Sequence, residues 1–218
     1  MTVDESQRAI LMQGCRQLGL VLDEEQSRKL NGYLDGLLKW NKAYNLTAIR
    51  DPREMVVKHL LDSLSIFQTI SGTALLDVGT GPGLPGIPLA ICYPHRHFTL
   101  LDSNGKKTRF LLQMKQELQL DNIRVIHDRI EALDATQPFD CITCRAFSSL
   151  QDFVAHCLHL LKPDGFLLAM KGRVPDDEIA ALDHSAMRVE IEKIDVPFLS
   201  DERHLIKITR KEKGSLES

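Results

Sequence analysis

Apolar and polar positions follow two rhythms along this chain, and the change between them falls near Thr73. From Asp23 to Tyr44, the residues Leu30, Tyr33, Leu34, Leu37, Leu38 and Trp40 recur at the spacing of one helix face, with Asp23 placed to cap its start. A shorter pattern upstream uses Ile10, Leu11, Cys15 and Leu18 and stops at Gly19. A third helix is expected to open at Asp51-Pro52, where proline suits the first turn, and to run through Val56, His59, Leu60 and Leu64. Beyond Thr73, short apolar runs predict strands at 74–78, 97–101, 123–127, 139–144, 166–170, 188–194 and 204–209. Helical patterns fill the gaps near 86–92, 105–119, 151–161 and 176–183. This alternation predicts an α/β fold, a mostly parallel seven-stranded sheet with helices on both faces. The link 195–203 has no helical pattern, so the last two strands are expected to pair as a hairpin and leave one strand antiparallel. Residues 1–72 then read as a helical N-terminal extension, 73–210 as the α/β domain and 211–218 as a disordered tail.

Composition narrows the class. With 43% hydrophobic and 26% charged residues, the chain can bury a core, which excludes general disorder. No apolar run approaches the roughly 20 residues of a membrane span. Asp4, Glu5, Arg8 and Arg16 interrupt any apolar leader, so neither a membrane nor an export route is expected. Five cysteines fit reduced thiols in a cytoplasmic protein, expected here to be a monomer. Net charge is −3 and the excess of acid lies after residue 173, so a nucleic-acid partner would have to meet a local basic patch. Cys141-x₂-Cys144 with His156-x₂-His159 falls outside the usual zinc spacing, and the two cysteines are expected on opposite faces of a strand, so no metal is expected. Lys106, Lys107 and Arg109 read as the solvated first turns of a helix, and Trp40 and Tyr44 as packing residues.

Candidate chemistry concentrates in Leu75-Leu76-Asp77-Val78-Gly79-Thr80-Gly81-Pro82-Gly83-Leu84-Pro85-Gly86. A strand ends at Asp77-Val78, and Gly79, Gly81 and Gly83 let main chain turn sharply and meet a ligand with no Cβ between. In an open α/β sheet that place is the ligand crevice. A dinucleotide fingerprint needs glycine where Leu84 stands, and a P-loop needs a lysine that this turn lacks. The remaining D-x-G-x-G-x-G resembles the first motif of class I S-adenosylmethionine-dependent methyltransferases, whose cofactor has no phosphate. Asp77 is placed to complement the ammonium and sulfonium of the methionine end. Asp102, at the tip of the second strand, suits the ribose hydroxyls, although that alone does not separate this cofactor from a nicotinamide one. The segment Asp128-Arg129-Ile130-Glu131 lies where adenine is expected, with main chain of Ile130 and Glu131 at its edge.

The longer run DVGTGPGLPGIPLAI (77–91) resembles the bacterial small-subunit ribosomal RNA methyltransferase G family, also called glucose-inhibited division protein B. Further matching segments are LLKWNKAYNLTAIRDP (37–52), KHLLDSL (58–64), CRAFSSL (144–150), MKG (170–172) and ERHL (202–205). The resemblance implies a Rossmann-like class I fold with a helical extension, and methylation of N7 of one guanine in 16S ribosomal RNA. It implies S-adenosyl-L-methionine as cofactor, with contacts at Gly79, Leu84, Ile130, Glu131 and Arg145, and 16S RNA or the small ribosomal subunit as partner. It also implies site roles for Asn45, His59, Lys171 and Arg203, although Asn45 equally suits a helix C-cap.

Guanine N7 is already a lone-pair nucleophile, so alignment rather than a strong base is the expected requirement. Arg145, always charged, suits a carboxylate, a phosphate or the guanine edge. Other readings remain beside this one. They are a class I methyltransferase for a small molecule or protein, a nicotinamide-dependent oxidoreductase, and a non-catalytic ribosome-binding protein.

Overall fold

The computed structural model describes residues 4–134, 136–145 and 147–211. Of the expected tail, residues 212–218 lie outside the described residues. Two reciprocal caps set the first helices, α1 (Glu5–Gln17) and α2 (Glu24–Tyr44). Asp4 and Asp23 accept from the amides of Gln7 and Gln26 at 3.0 and 2.7 Å, and those glutamine side chains accept from the cap amides in return. The third helical stretch is composite. Asp51 caps α3 (Pro52–Met55), six residues Val56–Leu61 follow as a wider π-helix, and α4 (Asp62–Leu64) ends it. The apolar spacing of this stretch does not announce the extra residue that a π turn takes up.

The α/β part alternates β1 (Ala74–Val78), α5 (Gly86–Cys92), β2 (His97–Asp102), α6 (Gly105–Glu117), β3 (Ile123–His127) and β4 (Phe139–Cys144). It continues through α7 (Leu150–Cys157), β5 (Leu161–Lys171), α8 (Asp176–Ala180), β6 (Met187–Lys193) and β7 (His204–Arg210). The strands form one sheet in the order β3-β2-β1-β4-β5-β7-β6. The first five pair in parallel, and β7 runs antiparallel to both β5 and β6, the hairpin expected from the sequence.

The largest differences from the expected boundaries lie in β5 and α7. β5 starts at Leu161 rather than at 166, because Lys162-Pro163-Asp164-Gly165 reads as a turn yet stays in the sheet through a register shift opposite Phe139 and Cys141. Gly165 permits it, since a Cβ there would lie 2.9 Å from the Phe139 carbonyl oxygen. α7 correspondingly stops at Cys157, followed by a 3₁₀ turn over Leu158–Leu160.

Strand alternation sorts the core into two layers. Leu75, Leu100, Cys141, Phe166 and Leu168 join Leu11, Leu30, Leu34, Leu60 and Phe110 on one face, so the N-terminal helices share that core with the sheet. Leu76, Leu101, Ile142, Cys144, Leu167 and Ile206 face α7 on the other. Cys141 and Cys144 therefore lie on opposite faces, as the period of a strand requires.

The start of β1 is pinned by Asp140 on β4. Its Oδ2 accepts from the amides of Thr73 and Ala74 at 2.9 and 2.8 Å, and its Oδ1 receives Lys162 Nζ at 2.7 Å. Gly72, at φ +82°, leaves the room, since a Cβ there would strike the Asp140 side chain. Asp140→Ala is expected to lower the unfolding free energy by about 2 kcal/mol at neutral pH. Desolvation alone would raise this carboxyl, but Lys162 and the two amides hold it below the ordinary 3.8. Its contribution is thus full above the unfolded value and fades as pH falls through the folded one. Urea unfolding at pH 7 and near pH 3 should show the wild-type advantage shrinking in acid.

Candidate active site

Three parallel strands end side by side at Val78, Asp102 and His127, and the glycine turn after β1 wraps back over them. Gly79, Gly81 and Gly83 have φ of +63°, +63° and +96°, the left-handed region open mainly to glycine. Their roles differ. A Cβ on Gly79 would meet nothing within 4 Å and one on Gly81 would be nearly as free, whereas one on Gly83 would enter Ile87 and Leu111. Gly79 leaves main chain open at the cleft, Gly81 turns its amide to Asp102, and Gly83 lets the turn pack.

The turn is held by buried carboxylates. Asp77 Oδ2 accepts from Thr80 Oγ1 at 2.6 Å and from the Gly86 amide at 2.8 Å. Asp77 Oδ1 is buried without a partner among the described residues. Burial pushes Asp77 up to about 7, against the pull of Thr80, Gly86 and the nearby charge of Arg145. Asp102 Oδ2 accepts from the Gly81 amide and Oδ1 from the Asn104 amide, both at 2.8 Å. From α2, Tyr33 donates its hydroxyl to the Pro82 carbonyl oxygen at 2.9 Å and props the turn from below.

Above the strand tips lies a cleft of about 520 Å³. Gly79 and Asp102 form its floor beside Val78 and Leu101, and Asp128, Arg129, Ile130 and Glu131 form one wall. Asp77, Gly81, Gly83 and Leu84 lie outside this lining. Leu84 is part of the hydrophobic core, with its amide bonded to the Thr80 carbonyl oxygen. Lys107, expected in solvent, lines the cleft with Nζ 3.9 Å from Asp102. It stands third in α6, within the first turn, where an amphipathic pattern carries no signal of such a contact.

This arrangement suits a nucleoside attached to a cationic amino-acid end. Asp102 offers acceptors for a ribose in the cleft, and the buried Asp77 adds negative charge beneath the glycine turn. It does not suit a pyrophosphate. The Gly86 amide, first in α5 and the natural anchor for a phosphate, is already bonded to Asp77, and an anion would meet that carboxylate.

A second hollow of about 320 Å³ is lined by Ile49, Lys58, His59, Asp62, Arg145, Met170, Lys171, Gly172 and Arg203. Four of the residues implied by the family resemblance, His59, Arg145, Lys171 and Arg203, therefore converge although they come from four separate segments. Arg145 lines this hollow and not the first cleft. Asn45 is in neither. It ends α2 at φ +50°, as the C-cap reading allows, and lines a separate recess with Leu38, Asn41, Lys42, Arg50 and Met55.

The second hollow is cationic but tethered. Lys171 Nζ lies 3.0 Å from Glu178, and Arg145 and Arg203 both meet Asp62, a buried residue within the KHLLDSL segment to which sequence reading gave no role of its own. Only its helical spacing from His59 on the same stretch hinted at it. His59 is neutral. Its Nδ1 lies 3.1 Å from the Lys58 carbonyl oxygen, which can only accept, so Nδ1 carries the proton and Nε2 accepts from Thr47 Oγ1 at 2.9 Å. Burial and the charge of Arg145 hold it down at about 4. All five cysteines are buried, and burial pushes Cys15 and Cys157 up to about 12, so neither offers a thiolate nucleophile. No group of three or more His, Cys, Asp or Glu able to hold a metal occurs among the described residues, and no described helix is long and apolar enough to cross a membrane.

The fold has solved counterparts. A SAM dependent methyltransferase from Aquifex aeolicus superposes with a TM-score of 0.56 at 17% identity, over 75% of this chain and 96% of that one. An rRNA methylase from Streptococcus thermophilus gives 0.51 at 13% identity, over 70% of this chain and 95% of that one. Sequence relatives lie nearer. A Ribosomal RNA small subunit methyltransferase G from Ectopseudomonas mendocina is 52% identical over 96% of this chain and 99% of its own. One of the same name from Cronobacter sakazakii is 53% identical over 86% and 91%. The family model described as rRNA small subunit methyltransferase G matches residues 26–206. With the glycine turn, the cleft and the cationic hollow all inside that span, the chain belongs to the rRNA small subunit methyltransferase G family.

Proposed function

We propose that this protein transfers a methyl group from S-adenosyl-L-methionine to N7 of a guanine in 16S ribosomal RNA, acting as a cytoplasmic monomer. The observation that carries the reading is the pairing of two hollows with opposite character. One is a cleft lined by the acceptors Asp102, Asp128 and Glu131, and the other is a mainly cationic hollow around Arg145, Lys171 and Arg203. When bound, the cofactor supplies a methyl group made electrophilic by the adjoining sulfonium. Gly79 admits it to main chain, Gly81 shapes the turn through its bond to Asp102, Asp102 takes the ribose, Ile130 and Glu131 flank the adenine, and the buried Asp77 acts on the positive methionine end through its charge. The acceptor base needs no proton removed before attack, which fits a hollow whose histidine is neutral and whose one lining carboxylate, Asp62, is already paired with Arg145 and Arg203. Lys171 and Arg203 are suited to RNA phosphates, while Arg145 stands nearest to the electrostatic reach of Asp77 and orients the base. A nicotinamide chemistry is disfavoured by the carboxylate at the start of α5.

The direct test is transfer of labelled methyl to 16S RNA and to small subunits, with borohydride reduction and aniline scission to locate 7-methylguanine. Label at a position that does not cleave, or none in RNA at all, would overturn the reading.

Cofactor affinity should respond to the turn. Gly79→Val puts a branched side chain into open cleft and is expected to weaken S-adenosylmethionine binding at least tenfold in calorimetry. Asp102→Ala should cost about 1.5–3 kcal/mol through lost hydrogen bonds to a charged group. Unchanged affinity in both variants would remove the cleft from consideration.

The pH profile should divide by residue. His59, held at about 4, stays neutral, so kcat is expected to be nearly flat from about pH 6.5 to 9. Asp77, at about 7 in the free protein, attracts a cation only when ionised. kcat/KM for the cofactor should therefore rise as pH climbs through 7, and Asp77→Asn should abolish that rise.

A further inference from the structure

Asp62 is the most enclosed charge in the second hollow, with a side chain only 4% exposed. Its Oδ1 accepts from Arg203 Nε at 2.7 Å, and its Oδ2 lies 3.5 Å from Arg145 Nη1. Each guanidinium has a second tether. Arg145 Nη1 donates to the Lys58 carbonyl oxygen at 3.2 Å, and Arg203 Nη1 donates to the Glu202 carbonyl oxygen at 2.8 Å. The carboxylate sits directly after the π-helical turn, whose last bond runs from the Asp62 amide to the Val57 carbonyl oxygen. That widened turn brings Lys58, His59 and Asp62 to one wall of the hollow.

We propose that Asp62 is a positioning residue for methyl transfer, clamping Arg145 and Arg203 so that neither can close over the N7 edge of the acceptor guanine. The proposal rests on the reading of this hollow as the guanine site. A free arginine beside guanine has a strongly preferred partner, the O6 and N7 pair, which it takes with two parallel N–H groups. That fork would bind the base well and also tie up the lone pair that must attack the methyl carbon. With Arg203 Nε and Arg145 Nη1 committed to Asp62, each guanidinium has one edge engaged and cannot rotate freely. The remaining N–H groups can still hold O6 or a phosphate. Asp62 thus restrains binding in order to leave N7 open, and it touches neither base nor cofactor. A buried carboxylate between two cations also prevents their mutual repulsion, so both stay in the hollow rather than turning to solvent.

The signature is a split between rate and affinity that a merely structural residue would not give. In Asp62→Asn, single-turnover methyl transfer is expected to fall at least tenfold, while RNA affinity is unchanged or tighter and cofactor affinity is kept. Combining it with Arg203→Ala should be at least fivefold less damaging than the product of the two single losses, because the partner being restrained is gone. Losses in rate and RNA affinity by the same factor, or strictly multiplicative effects, would overturn the proposal. If Asp62→Asn does not fold, Asp62→Glu keeps the charge but displaces the carboxylate, and the same split is expected of it. Equal loss of rate and affinity there would likewise overturn the proposal. The single variants Arg145→Ala and Arg203→Ala separate the two levels. If both transfer methyl at the wild-type rate, the hollow is not the guanine site and the underlying reading fails. If both are impaired while Asp62→Asn transfers normally, the clamp alone fails.

Discussion

Much of this structure depends on one carboxylate at the end of β1. Asp77 is almost completely buried, yet it is retained because its Oδ2 satisfies the Thr80 hydroxyl and the first amide of α5. Those bonds fix the glycine turn between a strand and a helix that has no side-chain cap of its own. The turn in turn presents the Gly81 amide to Asp102 on the neighbouring strand and the Pro82 carbonyl to Tyr33 on α2. A single buried acid therefore links the sheet, the cleft floor and the N-terminal helices. The free energy lost by burying it is offset in part by these bonds, while Oδ1 remains without a partner among the described residues.

Sheet order explains why the cleft lies there. From β1 the chain steps outward to β2 and β3, then returns across to β4 and β5 on the other side. Connections leaving in opposite directions open a crevice at the carboxyl ends of β1 and β4. The glycine turn and Asp102 stand on one side of that switch, and Arg145 just past β4 stands on the other. The helical N-terminal residues complete the second side, since Lys58, His59 and Asp62 all come from the composite helix packed against the same sheet layer.

The parts legible in the sequence were those written in period and punctuation. Strands β1 to β4 read directly because Leu75, Leu76, Leu100 and Leu101 alternate between two buried faces. The glycine turn read directly because only glycine accepts three left-handed positions so close together. The π turn did not, because its residues are as apolar as those of an ordinary helix and the added residue depends on tertiary packing. The first half of β5 was hidden by Lys162-Pro163-Asp164-Gly165, whose local turn chemistry is overruled by pairing with β4. In the site, family segments pointed to His59, Arg145, Lys171 and Arg203, but their tethers to Asp62 and Glu178 connect residues far apart in sequence, which no local pattern can express.

An acidic chain that acts on RNA has to separate attraction from chemistry. Bulk charge is −3, so long-range attraction is weak and recognition falls to a small cationic region. Left untethered, arginines in such a region would compete for the same electron pair that the reaction needs. Pairing each cation with an internal acid lowers the net attraction and fixes direction instead. The neutral His59 adds no charge to this lining, with its Nδ1 proton held by the Lys58 carbonyl oxygen and its Nε2 accepting from Thr47. Burial and the charge of Arg145 hold that ring down at about 4. The hollow therefore presents its cations in fixed directions, each held by an internal acid.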